Sequence, residues 1–571
     1  MTRKAYLCLT QTLFLLACGV MPALAADKQG AAPADDTSQE VNQLKAQLAD
    51  QQRQIEELRT ALQKLLAGKQ ASPNEDVAPP ANAVTPAPGV PQLGQVASTT
   101  PIVPVAPAAS TPLAFPAPAP AAQQQNVVPE SPLQIHLGSA TITPVGFMDF
   151  TNVIRTTNPG SGIGTNFGSI PYSNATNGNS EEFRFSAQNS RVGIRVDANV
   201  MGANVLGYLE SDFLGALPAN GAVTSNSDSL RMRVYWVDVR KDKIEILAGQ
   251  SWSMLTPNRK GLSALPGDIF YSQDMDTNYQ NGLTWSRQPQ FRFIVHPNDQ
   301  VAMGLSLEDP EQYIGGSGGG GLITLPAAYA TPYANQLNNG NTTLSAPNVH
   351  PDIIAKIALD PSSRAHFEIA GLVRTFRVYD PIELTHHTAN GFGGSANLNI
   401  EAGKGFHLIS NNYWSDGGGR YIFGLAPDVI VRPDGSLSPV HAESTVDGFE
   451  FNFKKTLLFG YYGGTFIRRD FAVDTSGAKP VLVGYGYPGS SNAQNRAIHE
   501  ATFGWIQTFW KDPKYGALAL ITQYSYLTRD PWALATGAPS NASTNMIFLD
   551  LRYTLPGSAP TMLPALPLKT Q

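Results

Sequence analysis

Sixteen segments in which apolar and polar residues alternate follow one another from Ile142 almost to the end of the chain. Successive side chains of a β-strand point to opposite faces, so each segment predicts a strand with one apolar and one polar face. Tight turns such as RKDK, DPSSR and EAGKG follow the even segments, and gaps of about ten to forty residues follow the odd ones. Short turns at one end, long loops at the other and an even strand number are typical of an outer-membrane β-barrel.

The composition agrees with an exported β-protein. Only 15% of the residues are charged and the formal net charge is −6, which argues against a nucleic-acid partner. Apart from the N-terminal segment, no run approaches the roughly 18 apolar residues that a spanning helix needs. A large secreted β-protein is the alternative. A two-sheet sandwich, however, has no physical reason to sort its connections by length.

The chain begins with a charged start, Arg3 and Lys4, which precedes an apolar stretch and the small-residue pattern ALA. This pattern predicts a secretory signal peptide over residues 1–25. A lipoprotein-type cut at LLAC, which would place a lipid on Cys18, is the competing interpretation. Both cysteines, Cys8 and Cys18, lie in this segment, so the mature chain after the favoured cut has no disulfide and no thiol chemistry.

Residues 38–67 carry apolar side chains every seven residues at two interleaved positions, with the polar Gln51 as one exception. These positions match a and d of four heptads and predict a periplasmic coiled coil, with a lone amphipathic helix as the alternative. Residues 68–132 are dense in Pro and Ala and predict a semi-extended linker. The barrel is expected over residues 133–556, followed by a tail over residues 557–571.

The segment LRMRVYWV (residues 230–237) shows how the parity of a strand predicts its lumen face. Arg231, Arg233 and Tyr235 share one face, and the other face is apolar. A lipid-facing arginine near the membrane midplane costs about 2–4 kcal/mol, so the arginines are expected to face the lumen. The same argument applied to other strands gives the predicted lumen-lining residues, which are Arg191, Arg195, Glu210, Asp212, Arg231, Arg233, Tyr235, Arg292 and Arg374.

Two roles are open for the inward arginines. They can contact a solute, since the guanidinium group presents a bidentate fork that suits carboxylates. They can equally be the cationic half of a wall network that pairs with Glu210, Asp212 and Glu368. Crowded arginines in a wet lumen also create a field that attracts anions.

Several motifs in order give the barrel region a family resemblance. RFSAQNSRVGIR, YLESDFLG, LRMRVYWVDV, LAGQSWS, RQPQFRF and SLEDPE resemble the DcaP-like trimeric porins of Gram-negative outer membranes. The resemblance implies a periplasmic coiled-coil segment, a sixteen-stranded barrel, a homotrimer and uptake of dicarboxylates or other small anions. The tail PGSAPTMLPALPLKTQ departs from the pattern, because such barrels usually end on an aromatic residue.

The long gap after the fifth predicted strand is a candidate for a constriction. In sixteen-stranded porins the third loop commonly folds inward and narrows the pore. By this analogy Arg259, Lys260 and Asp268 are constriction-loop candidates.

These observations predict an all-β transmembrane barrel of sixteen antiparallel strands that acts as an outer-membrane porin for small anionic, dicarboxylate-like solutes. We expect no enzyme activity, no cofactor and no metal site. The expected partners are two further copies of the chain, outer-membrane lipid and the solute, with the N-terminal segment in the periplasm and within reach of the cell wall. The alternative is a structural envelope tether whose barrel is only an anchor.

The heptads give a first test. Deletion of residues 38–67 should weaken the homotrimer without abolishing it, because barrel packing is expected to supply the rest of the association. The measurement is the temperature at which the oligomer dissociates on a semi-native gel. A deletion variant that stays as heat-resistant as the full chain would show that the heptads serve another purpose, such as reaching the cell wall.

Overall fold

The computed structural model describes residues 131–215, 226–264, 280–309, 311–316, 320–340 and 349–557. The predicted signal peptide, coiled coil and nearly all of the linker lie outside the described residues, as do residues 558–571 of the predicted tail. Among the described residues, no helix has the length and apolar character needed to cross a membrane.

Sixteen wall strands make up the principal sheet. Their bounds are β1 (Ala140–Arg155), β2 (two segments, Glu182–Ser186 and Arg191–Val200), β3 (Ala203–Asp212), β4 (Arg231–Lys241), β5 (Ile244–Trp252), β6 (Arg287–Asn298), β7 (Val301–Glu308), β8 (Asp352–Ser362), β9 (Ala365–Asp380), β10 (Thr385–Gly403), β11 (Phe406–Asp416), β12 (His441–Phe453), β13 (Thr456–Ile467), β14 (Asn495–Asp512), β15 (Gly516–Pro531) and β16 (Ala542–Thr554).

Each wall strand pairs antiparallel with its neighbours in the chain, and the last strand returns to the first. The closing register between β1 and β16 runs from Phe147 opposite Thr554 to Arg155 opposite Met546. The sheet is therefore a closed barrel, and the prediction of sixteen antiparallel strands is confirmed. A short strand, Ile135–Leu137, folds back on the start of β1.

Smaller elements lie in the long loops. They are the strand pairs Val429–Val431 with Leu437–Pro439 and Asp470–Asp474 with Val481–Tyr485, and the 3-10 turns Phe167–Ser169, Thr176–Asn179 and Gly419–Tyr421.

Exposure alternates along the strands with a period of two. On β8, for example, Ile353 and Ile357 are exposed on the outer face, whereas Ile354 and Lys356 are buried inside. The outward residues of most strands are apolar, and many inward residues are polar or charged. This is the inverse of a soluble protein and is the arrangement that a lipid environment requires.

The prediction that a long gap follows each odd strand holds for seven of the eight odd strands and is wrong for β9. There β9 ends at Asp380 and β10 begins at Thr385, so four residues connect them. The Asp380 carboxylate accepts the backbone N–H groups of Ile382 and Glu383 at 2.8 and 3.2 Å. This side chain closes a tight turn, so both strands extend several residues beyond the alternating pattern.

The register between β3 and β4 shifts by one residue. Glu210 lies opposite Val234 and Ser211 lies opposite Met232, so Arg233 is an extra residue on β4. Such a β-bulge moves every later side chain of the strand to the opposite face.

The bulge makes the predicted lumen position of Tyr235 wrong. Tyr235 lies opposite Leu209, an exposed residue of the outer face, and directly opposed residues share a face. Beyond the bulge, Trp236 is buried inside and Val237 is exposed outside. The charged residues mark this reversal in the sequence, because Arg231 and Arg233 have odd numbers whereas Asp238, also buried inside, has an even number. The face assigned from the two arginines alone therefore does not hold for Tyr235.

A glycine on β5 permits the close approach of β4. Gly249 has a φ of +134°, and a Cβ atom there would lie 2.3 Å from the carbonyl oxygen of Tyr235. We expect backbone strain in Gly249→Ala to lower the free energy of unfolding of the barrel by about 1–3 kcal/mol. Urea unfolding in phospholipid vesicles measures this. The matched control is Gly371→Ala on β9, where no atom lies within 4 Å of the added carbon. Equal stability of both variants would contradict the prediction.

Candidate functional site

Two arginines of β4 and two carboxylates of β3 form a compact charged cluster in the wall. Arg231 donates to both oxygens of Asp212, with Nε at 3.0 Å and Nη2 at 2.8 Å. Arg233 donates from Nε to Glu210 at 2.7 Å and from Nη1 to Asp212 at 2.6 Å. Because Arg233 is the extra residue of the bulge, two guanidinium groups reach the same carboxylate. We call Arg191, Glu210, Asp212, Arg231 and Arg233 the wall cluster.

Strand β2 adds its arginines on the other side of β3. Arg191 is buried, with Nη1 3.5 Å from a Glu210 oxygen and its guanidinium group 4.9 Å from the centre of the Phe147 ring. Arg195 lies four residues nearer the short turn and pairs with Asp197 at 2.7 Å. The predicted lumen residues of β2, β3 and β4 are thus brought together, with the exception of Tyr235 and with Arg195 at the margin.

The segment between β5 and β6, described as residues 253–264 and 280–286, leaves the wall and crosses the lumen. We call it the inward loop. Its first residues lie against β7, where the Met254 N–H donates to Glu308 at 2.7 Å. Its last part reaches β14, where the Asn281 N–H donates to Glu500 at 2.7 Å. The inward loop therefore connects walls that are separated by half of the barrel.

The middle of the inward loop is held by buried charges of β8 and β9. The Asn258 N–H donates to the Glu368 carboxylate at 3.1 Å. Lys356, fully buried beside Glu368 with an N–O distance of 2.8 Å, donates to the Thr256 carbonyl oxygen at 2.9 Å. The Gly261 N–H donates to an Asp360 oxygen at 2.9 Å.

The three constriction candidates have different positions. Arg259 forms a bidentate pair with Glu450 on β12, with N–O distances of 2.8 and 2.6 Å. Lys260 is exposed within the inward loop. Asp268 lies outside the described residues. One cation of the inward loop thus fixes the loop to the wall, and the next is exposed.

Four glutamates of four different strands accept groups of the inward loop. They are Glu308, Glu368, Glu450 and Glu500. Carboxylates that accept backbone N–H groups and a guanidinium group make strong, charge-assisted hydrogen bonds. The position of the inward loop is therefore set by the lumen face of the wall.

The two remaining predicted lumen residues lie in tightly packed surroundings. Arg292 is buried, donates from Nε to Gln290 at 2.6 Å and contacts the Trp252 carbonyl oxygen. Arg374 pairs with Asp352 at 2.9 Å and with Asp428 at 2.8 Å. Both face inward as the parity argument predicts, and both hold neighbouring backbone in place.

Asp428 belongs to the long loop between β11 and β12, which packs with the loops after β7 and β13. Their shared core includes Ile323, Tyr333, Tyr421 and Ile430. Burial raises the pKa of the Asp428 carboxyl, although its partner Arg374 opposes the rise. Burial also raises the pKa of the Tyr421 hydroxyl. The long loops thus form a packed cap that is joined to the wall by Arg374.

Some charged residues of the interior were missed by the sequence analysis. Lys356 follows the parity of DIIAKIAL, so the alternation could have identified it. Arg552 pairs with Asp149 at 2.5 Å across the barrel closure, and the alternation of LDLRYT also contains that signal. Arg155 donates to carbonyl oxygens of the β1–β2 loop, at 2.9 Å for Gly162, and no local sequence pattern predicts such contacts.

One group of side chains in the described part of the chain has the spacing of metal ligands. Asp380, Glu383 and His387 offer ligand atoms within 4.8 Å of one another at the β9–β10 turn. The Asp380 carboxylate already accepts two backbone N–H groups and the Tyr329 hydroxyl at 3.1 Å. The hydrogen bonds that Asp380 accepts in this tight turn therefore account for the position of the three side chains.

The chemistry available in the lumen is electrostatic recognition. The guanidinium groups of Arg191 and Arg233 are buried and paired with Glu210 and Asp212, and the Arg231 side chain is 15% exposed. The inward loop carries one further cation, Lys260, whose side chain is exposed.

No protein-family model matches the chain, and no curated protein matches it. Among solved structures, the outer membrane channel DcaP of Acinetobacter baumannii is 18% identical with a TM-score of 0.51, over 73% of this chain and 97% of that chain. The anion-selective porin from Comamonas acidovorans is 12% identical with a TM-score of 0.41, over 73% and 99% of the two chains. OmpT of Vibrio cholerae is 10% identical with a TM-score of 0.39, over 74% and 99%. The chain thus has the barrel fold of the DcaP channel, and the resemblance to DcaP-like porins is confirmed at the level of fold.

Proposed function

We propose that the protein is an outer-membrane porin through which small solutes diffuse passively. The observation that supports this most directly is the charged lumen of a closed sixteen-stranded barrel, crossed by an inward loop that the wall holds in place. Barrels of about 16–18 strands are wide enough to leave an aqueous channel. The apolar outer face fits the hydrocarbon region of a membrane.

We infer further that the preferred solutes are small anions with one or two carboxylates. The wall cluster contains three guanidinium groups on two strands, and Lys260 adds an exposed positive charge on the inward loop. The wall cluster has three positive and two negative groups, and a net positive charge between low-dielectric walls concentrates anions and orients them. The carboxylates of the wall cluster keep the guanidinium groups extended toward the same region.

The proposal includes the location and assembly that the sequence predicts. The barrel lies in the outer membrane with its N-terminal segment in the periplasm, and the functional unit is a homotrimer. The fold shared with the DcaP channel supports the barrel part of this proposal. The competing function is an envelope tether, in which the barrel serves only as an anchor.

Single-channel conductance in planar bilayers separates the two functions. We expect the full chain to give discrete current steps, because water and ions fill the lumen beside the inward loop. Arg259→Ala with Glu450→Ala should increase the open-channel conductance, because it releases the middle of the inward loop from β12. A folded full-length barrel that carries no current would rule out the porin and favour the tether.

The wall cluster gives a test of anion selection. Arg231→Ala with Arg233→Ala should reduce the permeability of anions relative to cations and weaken block by a dicarboxylate. Arg231 is the partly exposed member of the pair, and each charge contact that a solute loses there is of the order of 1 kcal/mol. The variant also removes four hydrogen bonds from Glu210 and Asp212, so their negative charge opposes anion entry. Reversal potentials in a salt gradient measure the change.

The matched control for this test removes two cations outside the lumen. Arg364 and Lys404 are exposed in the short turns after β8 and β10. Arg364→Ala with Lys404→Ala should leave selectivity close to that of the unmodified protein. If the wall-cluster variant folds and keeps its anion preference, its arginines are structural and the selectivity lies in the inward loop.

A further inference from the structure

Most of the lysines that the structure describes lie at the short turns, at one end of the barrel. There are ten lysines in this part of the chain, and seven of them are in or beside these turns. They are Lys241, Lys243, Lys404, Lys454, Lys455, Lys511 and Lys514. The whole chain has a formal net charge of −6, so this concentration of positive charge is a local feature.

Two neighbouring turns bring four of these lysines together. Lys454 and Lys455 form the β12–β13 turn, and Lys511 and Lys514 lie at the β14–β15 turn. The two turns are in contact, because the Lys455 ammonium group donates to the Phe509 carbonyl oxygen at 3.0 Å. All four lysines are exposed.

The acidic residue beside these lysines is engaged by the backbone. The Asp512 carboxylate accepts the N–H groups of Lys514 and Tyr515 at 2.7 and 3.2 Å, which closes the β14–β15 turn. Among the residues that the structure describes, no carboxylate forms an ion pair with Lys454, Lys455 or Lys514. Four lysines and one aspartate leave the two turns with a net positive charge.

Elsewhere on the same rim the charges are closer to balance. Arg364 of the β8–β9 turn pairs with Glu401 at 3.3 Å. Residues 241–243 of the β4–β5 turn, KDK, place an acid between two bases. The β6–β7 turn carries Asp299 and no lysine or arginine. The excess of positive charge is therefore greatest at the β12–β13 and β14–β15 turns.

Large aromatic side chains lie next to the uncompensated lysines. Phe453 and Tyr515 are both exposed. The Lys454 ammonium nitrogen lies 5.3 Å from the centre of the Phe453 ring, and the Lys514 nitrogen lies 5.3 Å from the centre of the Tyr515 ring. Each ring therefore holds one ammonium group beside it. We call Phe453, Lys454, Lys455, Lys511, Lys514 and Tyr515 the basic rim.

The basic rim adjoins the apolar outer face of the wall. Toward the short turn, the outward residues of β12 are Phe449, Phe451 and Phe453, all of them exposed. Lys454 and Lys455 follow directly in the chain. When such an apolar face spans the hydrocarbon region, the aromatic residues at its end and the cations beyond them lie at the level of the lipid headgroups.

We propose that the basic rim binds the headgroups of anionic phospholipids in the periplasmic leaflet of the outer membrane. The inference rests on the proposed function, because it needs a barrel that spans this membrane with its short turns toward the periplasm. Several lysines close to one surface attract anionic headgroups by charge. The lysines of the basic rim come from two turns that are in contact, so they can approach one phosphate group from two sides.

The pairing of charge with exposed aromatic rings favours a lipid over a soluble anion. Inorganic phosphate would gain from the ammonium groups and nothing from the rings of Phe453 and Tyr515. A phospholipid places a negative phosphate against the lysines and its glycerol and acyl groups against the rings. Amphipathic aromatic side chains prefer this boundary between polar and apolar surroundings.

Native mass spectrometry of the full-length protein in mild detergent tests the inference. Phosphatidylglycerol and phosphatidylethanolamine with the same acyl chains are added separately, and the dissociation constant of each retained lipid is measured. We expect the anionic phosphatidylglycerol to bind more tightly than the zwitterionic phosphatidylethanolamine, and the difference to shrink at high salt because salt screens exposed charges. Equal binding of the two lipids would overturn the inference.

Substitution of two lysines tests whether the basic rim is the site. Lys454→Gln with Lys514→Gln should weaken the binding of phosphatidylglycerol, because each lysine near an anionic headgroup contributes a factor of about five. The matched control is Arg364→Gln with Lys404→Gln, which removes two cations from other turns of the same rim. An equal loss of lipid in both variants, or no loss in the first, would overturn the inference.

Two competing occupants give different results with the same proteins. If inorganic phosphate displaces phosphatidylglycerol at equal concentration, the basic rim is a site for phosphate alone and the lipid assignment is wrong. If Lys454→Gln with Lys514→Gln loses binding to purified peptidoglycan and keeps its preference for phosphatidylglycerol, the basic rim faces the cell wall and the inference is again overturned.

Conductance in planar bilayers keeps this inference separate from the proposed function. The basic rim lies outside the lumen, so Lys454→Gln with Lys514→Gln should conduct like the unmodified protein. A protein that binds phosphatidylglycerol through these lysines and carries no current would retain the lipid site and exclude the porin. A conducting barrel without lipid preference would retain the porin and exclude the lipid site.

Discussion

Backbone pairing at the closure of the barrel is the constraint on which the rest of the structure depends. In a hydrocarbon environment every backbone N–H and C=O group must find a partner within the protein, so a sheet with free edges is not viable. The pairing of β1 with β16 removes the last two edges. Closure through sixteen strands also fixes the width of the lumen, and a lumen of this width leaves space for loops, ion pairs and water.

A lumen of that width has room for paired charged side chains and for a loop between them. Four glutamates on separate strands hold the inward loop across the lumen, and Arg374 joins the wall to the packed external loops. Each of these contacts couples distant parts of the chain. Breaking one partner would leave an uncompensated buried charge, which is more costly than the intact pair is favourable. The same charges that position the loops therefore set the electrostatic character of the lumen.

The two faces of the wall follow different rules, and the exceptions are informative. Inside, the β4 bulge brings Arg231 and Arg233 to one carboxylate, which the plain alternation of a strand would not place so closely. Outside, the lysines of the β12–β13 and β14–β15 turns outnumber their acidic neighbour, so this part of the rim carries charge that the protein does not balance. A departure from the local pattern is expected where a surface has a role beyond stability.

The sequence by itself determined the number of strands, their antiparallel order and the inward direction of most charged residues. These features depend on the alternation of apolar and polar residues with a period of two, and that alternation is visible within each strand segment. It also identified Arg259 as part of a loop that folds inward. The turn at Asp380 and the register shift at Arg233 depend on hydrogen bonds made by particular atoms, so alternation misplaced the β9–β10 connection and Tyr235.

Only the tertiary structure decided which charges meet. Glu450 and Arg259 are separated by 191 residues, and Asp149 and Arg552 by 403. No local pattern encodes such pairs, because the curvature of the closed barrel brings them together. The parity of a strand tells which side of the wall a residue faces. Its height along the barrel and its neighbours across the lumen follow from strand tilt, register and loop packing, which exist only after the sheet has closed.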